Sequence, residues 1–149
     1  QLAARRADIH LVLAGPYGDA PPPKGVRVHY LGELPHARVA QLLCALDVGI
    51  IYLRDTPFGR YCFPQKAYEM LACGLPVVAA RVGAMAELFA DHPQCIYDPD
   101  NRQMLADAIE AQLLRPQFPD VEIRDWAQLV AELEHHVLAI AEAKNATSG

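Results

Sequence analysis

"CFPQKAYEMLACGLPVVAARVG", residues 62–83, decides the reading of this chain. Pro64 opens a helical pattern, Lys66 and Glu69 stand near its start, and Gly74-Leu75-Pro76 ends it. The segment then runs on as the apolar strand Pro76-Val77-Val78-Ala79-Ala80. A strand apolar on both faces needs cover on two sides, and a helix delivered straight into it is one half of an α/β crossover.

Working outward, the alternation continues. Ile9–Ala14 ends at Gly15-Pro16 and Val26–Leu31 ends at Gly32, so both read as strands with breakers behind them. Pro35–Leu46 carries Val39, Leu42, Leu43 and Leu46 at helical spacing, and Val48–Leu53 is a third strand. After a helical turn near Ala84–Ala90, Cys95-Ile96-Tyr97 forms a fifth strand. Asp98-Pro99-Asp100-Asn101 opens a helix over Arg102–Leu114, with Leu105, Ala108, Ile109 and Gln112 or Leu113 along one side. A last helix is expected over Asp125–Lys144, its apolar stripe being Leu129, Leu133, Val137 and Ile140. Residues 145–149 are expected to fray. The link Gly15–Gly25, with Pro21-Pro22-Pro23, is too broken for a crossover helix and reads as a surface loop. The pattern predicts a doubly wound, mostly parallel sheet with helices on both faces, in one domain over residues 1–144.

Composition bounds the function. A chain of 149 residues with 52% apolar content suits one compact domain with its own core. A net charge of −5 argues against nucleic acid as a partner, because that affinity rests on Lys and Arg releasing counterions. No apolar run approaches the roughly 20 residues that span a bilayer, and Gln1–Arg6 is no signal peptide. A soluble, cytoplasmic domain without a transmembrane segment is expected. Cys44, Cys62, Cys73 and Cys95 form no metal-binding spacing and read as buried, reduced thiols. The scattered histidines, including the adjacent His135-His136, give no metal pair.

In sheets of this kind ligands sit beyond the carboxyl ends of the strands. That rim gathers Gly15-Pro16, Gly32-Glu33-Leu34, a long loop from Arg54 to Phe63, and Arg81-Val82-Gly83. With Pro64 at the first helical position, the backbone N–H groups of Gln65, Lys66 and Ala67 would point into the rim at the positive end of the helix dipole, a setting that attracts phosphate. Glu69 lies about 7 Å further along the axis, at roughly 1.5 Å per residue, within reach of a nucleotide's ribose. Its carboxylate could accept from two sugar hydroxyls. The competing reading is a plain Lys66/Glu69 surface pair worth a few tenths of a kcal/mol. Arg54, Asp55, Arg81 and Glu87 read by default as solvated rim charges, and Asp47 as a helix-end or turn residue. Asp19, Asp91, Asp98 and Asp100 read as turn formers.

The wording of Phe63–Ala79 resembles the nucleotide-sugar-binding signature of the retaining GT-B glycosyltransferases of the large group 1 family, in which a glutamate, a small-residue helix, a Gly-x-Pro turn and a buried strand follow one another. Val12–Gly15, Val28–Leu34, Ala45–Ile50 and Val82–Leu88 fall in the order of that family's carboxyl-terminal domain, so the resemblance covers about residues 8–140. It implies a Rossmann-like fold. It assigns Glu69 to the ribose hydroxyls, the turn Phe63-Pro64-Gln65-Lys66 to the diphosphate, Gly32, Glu33 and Leu34 to the base, and Gly15 and Pro16 to the rim. Where many relatives carry a glutamate that touches the donor sugar, this chain has Tyr61. That ring could pack on a sugar or cover apolar surface.

The resemblance implies transfer of a hexose from a nucleotide-diphosphate sugar to an acceptor hydroxyl, on a glycan or a lipid-linked saccharide, with retention and without metal or cofactor. It also implies that the family's first strand and its amino-terminal acceptor domain are missing partners, that this piece alone is inactive, and that the full-length protein could lie peripherally at a membrane. Two other readings stand beside it: a non-catalytic α/β nucleotide-binding or regulatory domain, and a nucleotide-sugar epimerase built on the same two-domain plan.

Overall fold

All strand pairings among the described residues are parallel. The computed structural model describes residues 2–18, 21 and 23–147, and the chain divides into two units, Gln1–Pro119 and Asp120–Gly149. The first runs α1 (Leu2–Arg5), β1 (Leu11–Leu13), β2 (Val28–Tyr30), α2 (His36–Leu43), β3 (Gly49–Ile51), α3 (Pro57–Tyr61) and α4 (Gln65–Ala72). It continues with β4 (Val77–Ala80), α5 (Ala84–Leu88), a 3-10 turn (Pro93–Cys95), β5 (Ile96–Tyr97) and α6 (Arg102–Leu114). The second holds α7 (Trp126–Thr147). Asp19, part of the proline-rich link at Pro22, and the last two residues of the expected tail lie outside the described residues.

The expected α/β architecture with parallel strands is what the chain adopts, but the strands close into two sheets, β1-β2 and β3-β4-β5.

The core lies on the two faces of β3-β4-β5. Every residue of β4 is buried, and the period-2 alternation of a strand sends Val77 and Ala79 to one face and Val78 and Ala80 to the other. The first face packs Ile51, Val77, Ala79 and Ile96 against Ala67 of α4 and Met85 of α5. The second packs Val78, Ala80, Val82 and Tyr97 against Ala108 of α6. The small residue Gly49 lets α4 approach β3, since a Cβ there would stand 2.5 Å from the Met70 sulfur.

Helix ends explain the punctuation seen in the sequence. Gly74, at φ +70°, follows the last residues of α4. Its N–H donates to the Leu71 carbonyl and the Leu75 N–H to the Met70 carbonyl, each at 2.9 Å. This paired closure satisfies carbonyls that the helix leaves open. Asn101 caps α6, its Oδ1 accepting from the Met104 N–H at 3.0 Å, as the expected opening at 98–101 requires. Asp125 and Gln128 each accept from the other's backbone N–H at 2.8 Å, starting α7 with a reciprocal cap. That helix runs to Thr147, into the stretch expected to fray, and its stripe Leu129, Leu133, Val137 and Ile140 is exposed.

Two expectations are corrected. The stretch 54–63 is not all loop: Thr56 and Pro57 start α3, with Thr56 Oγ1 accepting from the Gly59 N–H at 3.2 Å. The cysteines are free, yet only Cys95 is buried; Cys44 is exposed and Cys62 and Cys73 are half-buried. Cys95 lies in the core beneath Gln112, whose Nε2 donates to its sulfur at 2.6 Å. Cys44 instead follows the last turn of α2. Among the described residues no helix is long and apolar enough to cross a membrane.

Candidate functional site

The residues singled out by sequence lie on loops that follow β1, β2 and α3, at the last residue of α3 (Tyr61), and on the first turns of α4. At the first two tips the main chains are tied together. The Gly15 N–H donates to the Gly32 carbonyl at 2.8 Å, the Leu31 N–H to the Leu13 carbonyl at 2.9 Å, and the Tyr30 hydroxyl to the Gly15 carbonyl at 2.6 Å. Both glycines hold positive φ, +116° and +70°, a region in which L side chains are strained. Tyr17 meets Tyr30 edge-on with ring centroids 5.3 Å apart. Beside this tie lies a depression of about 480 Å³ lined by Leu31, Leu34, Pro35, Arg38, Gln41 and Leu42. Leu34 thus borders a concavity, while Pro16 and Glu33 are exposed beside the turns.

The mouth of α4 departs from the sequence reading. Pro64 is the residue before the helix, at φ −78° and ψ 86°, and Gln65 is the first helical residue. The Pro64 carbonyl accepts from the Ala67 N–H at 2.9 Å, and the Gln65 N–H turns back to the Phe63 carbonyl at 2.9 Å. Two of the three amides expected to face an anion are therefore already bonded. The Lys66 N–H has no partner among the described residues, which leaves one main-chain donor and the Lys66 ammonium at this end.

Lys66 and Glu69 are both exposed and form no ion pair with each other, so the surface-pair alternative is not what the structure shows. Phe63 stacks on Tyr68 with ring centroids 5.1 Å apart and stays exposed. Tyr61 is 89% exposed, which rules out the reading that it covers apolar surface. Its backbone is fixed even so. A Cβ at Gly83 would stand 2.4 Å from the Arg60 carbonyl oxygen, so the end of α3 lies against the turn that follows β4.

Charges at the rim are partly taken up locally. The Arg60 guanidinium bonds the Asp55 carboxylate at 2.6 Å and holds that carboxyl below its usual range. Arg81 pairs with Asp98 at 3.0 Å. Residues 61–69 line neither the depression beside Leu34 nor a second cleft near Tyr97. What the α4 mouth offers chemically is one cation, one carboxylate and two exposed aromatic rings along the α3–α4 junction. No group of three or more His, Cys, Asp or Glu that could hold a metal exists among the described residues.

That second cleft, which sequence reasoning passed over, is lined by Tyr52, Tyr97, Asp100, Asn101, Arg102 and Leu105. Its one legible signal was the placement of Tyr97 at the carboxyl end of a strand, next to a helix opening.

A family model described as "Glycosyl transferases group 1" matches residues 1–115 of the chain. Among characterised proteins, one subunit of the phosphatidylinositol N-acetylglucosaminyltransferase of Arabidopsis thaliana is 29% identical over 99 residues, 66% of this chain and 21% of that protein. The chain thus spans about a fifth of the length of that relative.

Proposed function

The chain belongs to the group 1 glycosyl transferases, and from that premise we propose that it is the donor-binding part of an enzyme that moves a sugar from a nucleotide-diphosphate sugar to an acceptor hydroxyl, with retention at the transferred carbon. The observation that carries this reading is the exposed Lys66 and Glu69 on the first turns of α4, free of each other and flanked by the exposed rings of Tyr61 and Phe63. Polar side chains that are not engaged with each other are available to a ligand.

In this proposal Lys66 and its backbone N–H meet the diphosphate, which joins them to the partial positive charge of the helix end. Glu69 accepts from the ribose hydroxyls. Gly15, Gly32, Glu33 and Leu34 supply the rim for the base, and Tyr61 lies against the sugar. Positive groups held where charge develops on the departing diphosphate would lower the barrier without a metal. The other wall of the site comes from the acceptor-binding remainder of the full-length protein, and the isolated part is inactive. The relative's name makes N-acetylglucosamine the first sugar to test, and a phosphatidylinositol-type lipid the first acceptor.

Calorimetric titration with UDP, GDP, ADP and their sugars tests the proposal. Saturable binding of one nucleotide, weakened in Glu69→Ala, is the expected result. Unchanged affinity in that variant removes the ribose role, and absence of binding to every nucleotide at millimolar concentration removes the donor-site reading.

A further inference from the structure

Cys44 and Cys73 come together at the edge of the sheet where β3 and β4 begin. Cys44 closes α2, its N–H donating to the Ala40 carbonyl at 2.9 Å. Cys73 closes α4, its N–H shared between the Glu69 and Met70 carbonyls at 3.2 and 3.1 Å. Each helix feeds one of two paired strands: α2 leads into β3 and α4 into β4, with Gly49 in register with Val77. The Gly49 N–H donates to the Pro76 carbonyl at 2.8 Å, which ties the two strand entries together. Both cysteines stand a few residues before that tie, and their thiols are neighbours. Burial raises the Cys73 thiol above its usual range, and hydrogen bonding and charge interaction with the Cys44 thiol raise it further.

Both thiols are free, Cys44 exposed and Cys73 half-buried, so a small oxidant in solution has access to the pair. The other two cysteines are engaged elsewhere. Cys62 Sγ donates to the Gly59 carbonyl at 3.6 Å, and the buried Cys95 sulfur accepts from Gln112 Nε2 at 2.6 Å.

We infer that Cys44 and Cys73 are a reversible redox couple, two thiols when reduced and one disulfide when oxidised, that staples the end of α2 to the end of α4. The oxidant class is a small-molecule disulfide such as glutathione disulfide. Cys44, as its thiolate, attacks one sulfur of the oxidant, forming a mixed disulfide and releasing one glutathione, which takes up the proton that Cys44 lost. Cys73 then attacks the Cys44 sulfur, the mixed disulfide breaks, and the second glutathione leaves with the proton of Cys73. Two protein thiols have given up two electrons and two protons, and one glutathione disulfide has become two thiols.

The order of attack follows from the surroundings. A thiol held above its usual range presents less thiolate at neutral pH, so the half-buried Cys73 is the poorer first attacker and the exposed Cys44 meets the oxidant. Once the mixed disulfide stands beside Cys73, the second step is intramolecular and gains from proximity. The bond closes the loop 44–73, which holds β3, α3 and α4, and so constrains the unfolded chain. The couple does not depend on the reading proposed for Lys66 and Glu69.

Mass spectrometry of the chain treated with glutathione disulfide, then digested with trypsin without reduction, tests the inference. Arg54, Arg60 and Lys66 lie between the two cysteines, so cleavage after them separates Cys44 and Cys73 unless a disulfide joins them. The expected product is monomeric, lighter by two hydrogens, and yields one linked peptide pair containing Cys44 and Cys73. Excess glutathione should reverse it, and the oxidised chain should unfold at a higher urea midpoint than the reduced one. Cys73→Ser is expected to stop at the Cys44 mixed disulfide. Should that variant misfold, Cys44→Ser at an exposed position tests the same bond by loss of the linked peptide and of the urea shift. A mixed disulfide that persists in the wild-type chain would overturn the inference, as would a bond between two copies through Cys44, a link to Cys62 or Cys95, equal urea midpoints, or no reaction.

Discussion

The carbonyl oxygen of Arg60 lies where a side chain on Gly83 would begin: a Cβ at residue 83 would meet it at 2.4 Å. Gly83 also holds φ +52° and precedes α5, so a bare backbone there does two jobs. It turns the chain at the tip of β4, and it lets the end of α3 settle against that tip. The aromatic residues Tyr61 and Phe63, which lead into α4, take their position from this contact.

Gly83→Ala is expected to cost about 1–3 kcal/mol, combining a disfavoured φ with an overlap that only backbone movement relieves. Urea denaturation should show a lower midpoint with an unchanged slope. Wild-type stability in this variant would mean that α3 is free to move away from Gly83.

Thr56→Ala removes the side-chain oxygen that accepts from the Gly59 N–H. A loss of about 1 kcal/mol is expected, and Thr56→Ser should restore most of it. Thermal unfolding of the three proteins checks this. Equal melting temperatures for the alanine and serine variants would show that the cap contributes nothing.

Lys66→Ala is expected to weaken a nucleoside diphosphate about tenfold, equivalent to about 1.4 kcal/mol, and to leave the nucleoside alone almost unaffected. Because Lys66 is exposed, the difference should shrink as salt is raised. Equal losses for diphosphate and nucleoside would place the lysine away from the phosphates.

Tyr97 gives an alkaline signature. Burial first, then Tyr52 and Asp100, push its hydroxyl from 10.0 up to about 12. Between those values the unfolded chain has lost the proton and the folded chain keeps it, so the native state binds more protons and stability falls as pH rises. The slope from this one residue approaches about 1.4 kcal/mol per pH unit. Well below the ordinary tyrosine value of about 10 it contributes no pH dependence. Tyr97→Phe should flatten the stability curve in that window, and an unaltered curve would mean the hydroxyl is hydrated in the native state.

Much of the frame was legible because it is local. Helix-to-strand order follows from apolar periodicity, and the Gly74-Leu75-Pro76 stop follows from a left-handed glycine, a buried leucine and a proline that cannot continue the helix. The strands predicted at 9–14, 26–31, 48–53, 76–80 and 95–97 all contain the observed ones. α3 was legible in principle from Thr56-Pro57 but was hidden by the polar residues around it. The candidate site was legible only as a set of residues at strand tips: Lys66 and Glu69 are indeed exposed on one end of α4, while the bonding of Gln65 and Ala67 could not be foreseen. The backbone angle at Pro64 decides whether those amides face outward, and residue type alone does not fix that angle.

What the sequence determined by itself is the alternation of helix and strand and the polarity of each surface, because both depend on neighbours a few residues away. Tertiary structure alone decided that β1 pairs with β2 apart from the sheet of β3, β4 and β5, that Gly15 meets Gly32, that α3 rests on Gly83, and that the Tyr97 hydroxyl is sealed in without a partner among the described residues. Each of these joins residues distant in the chain, and their energy comes from close packing and from which polar groups are left unsatisfied, neither of which a linear pattern records.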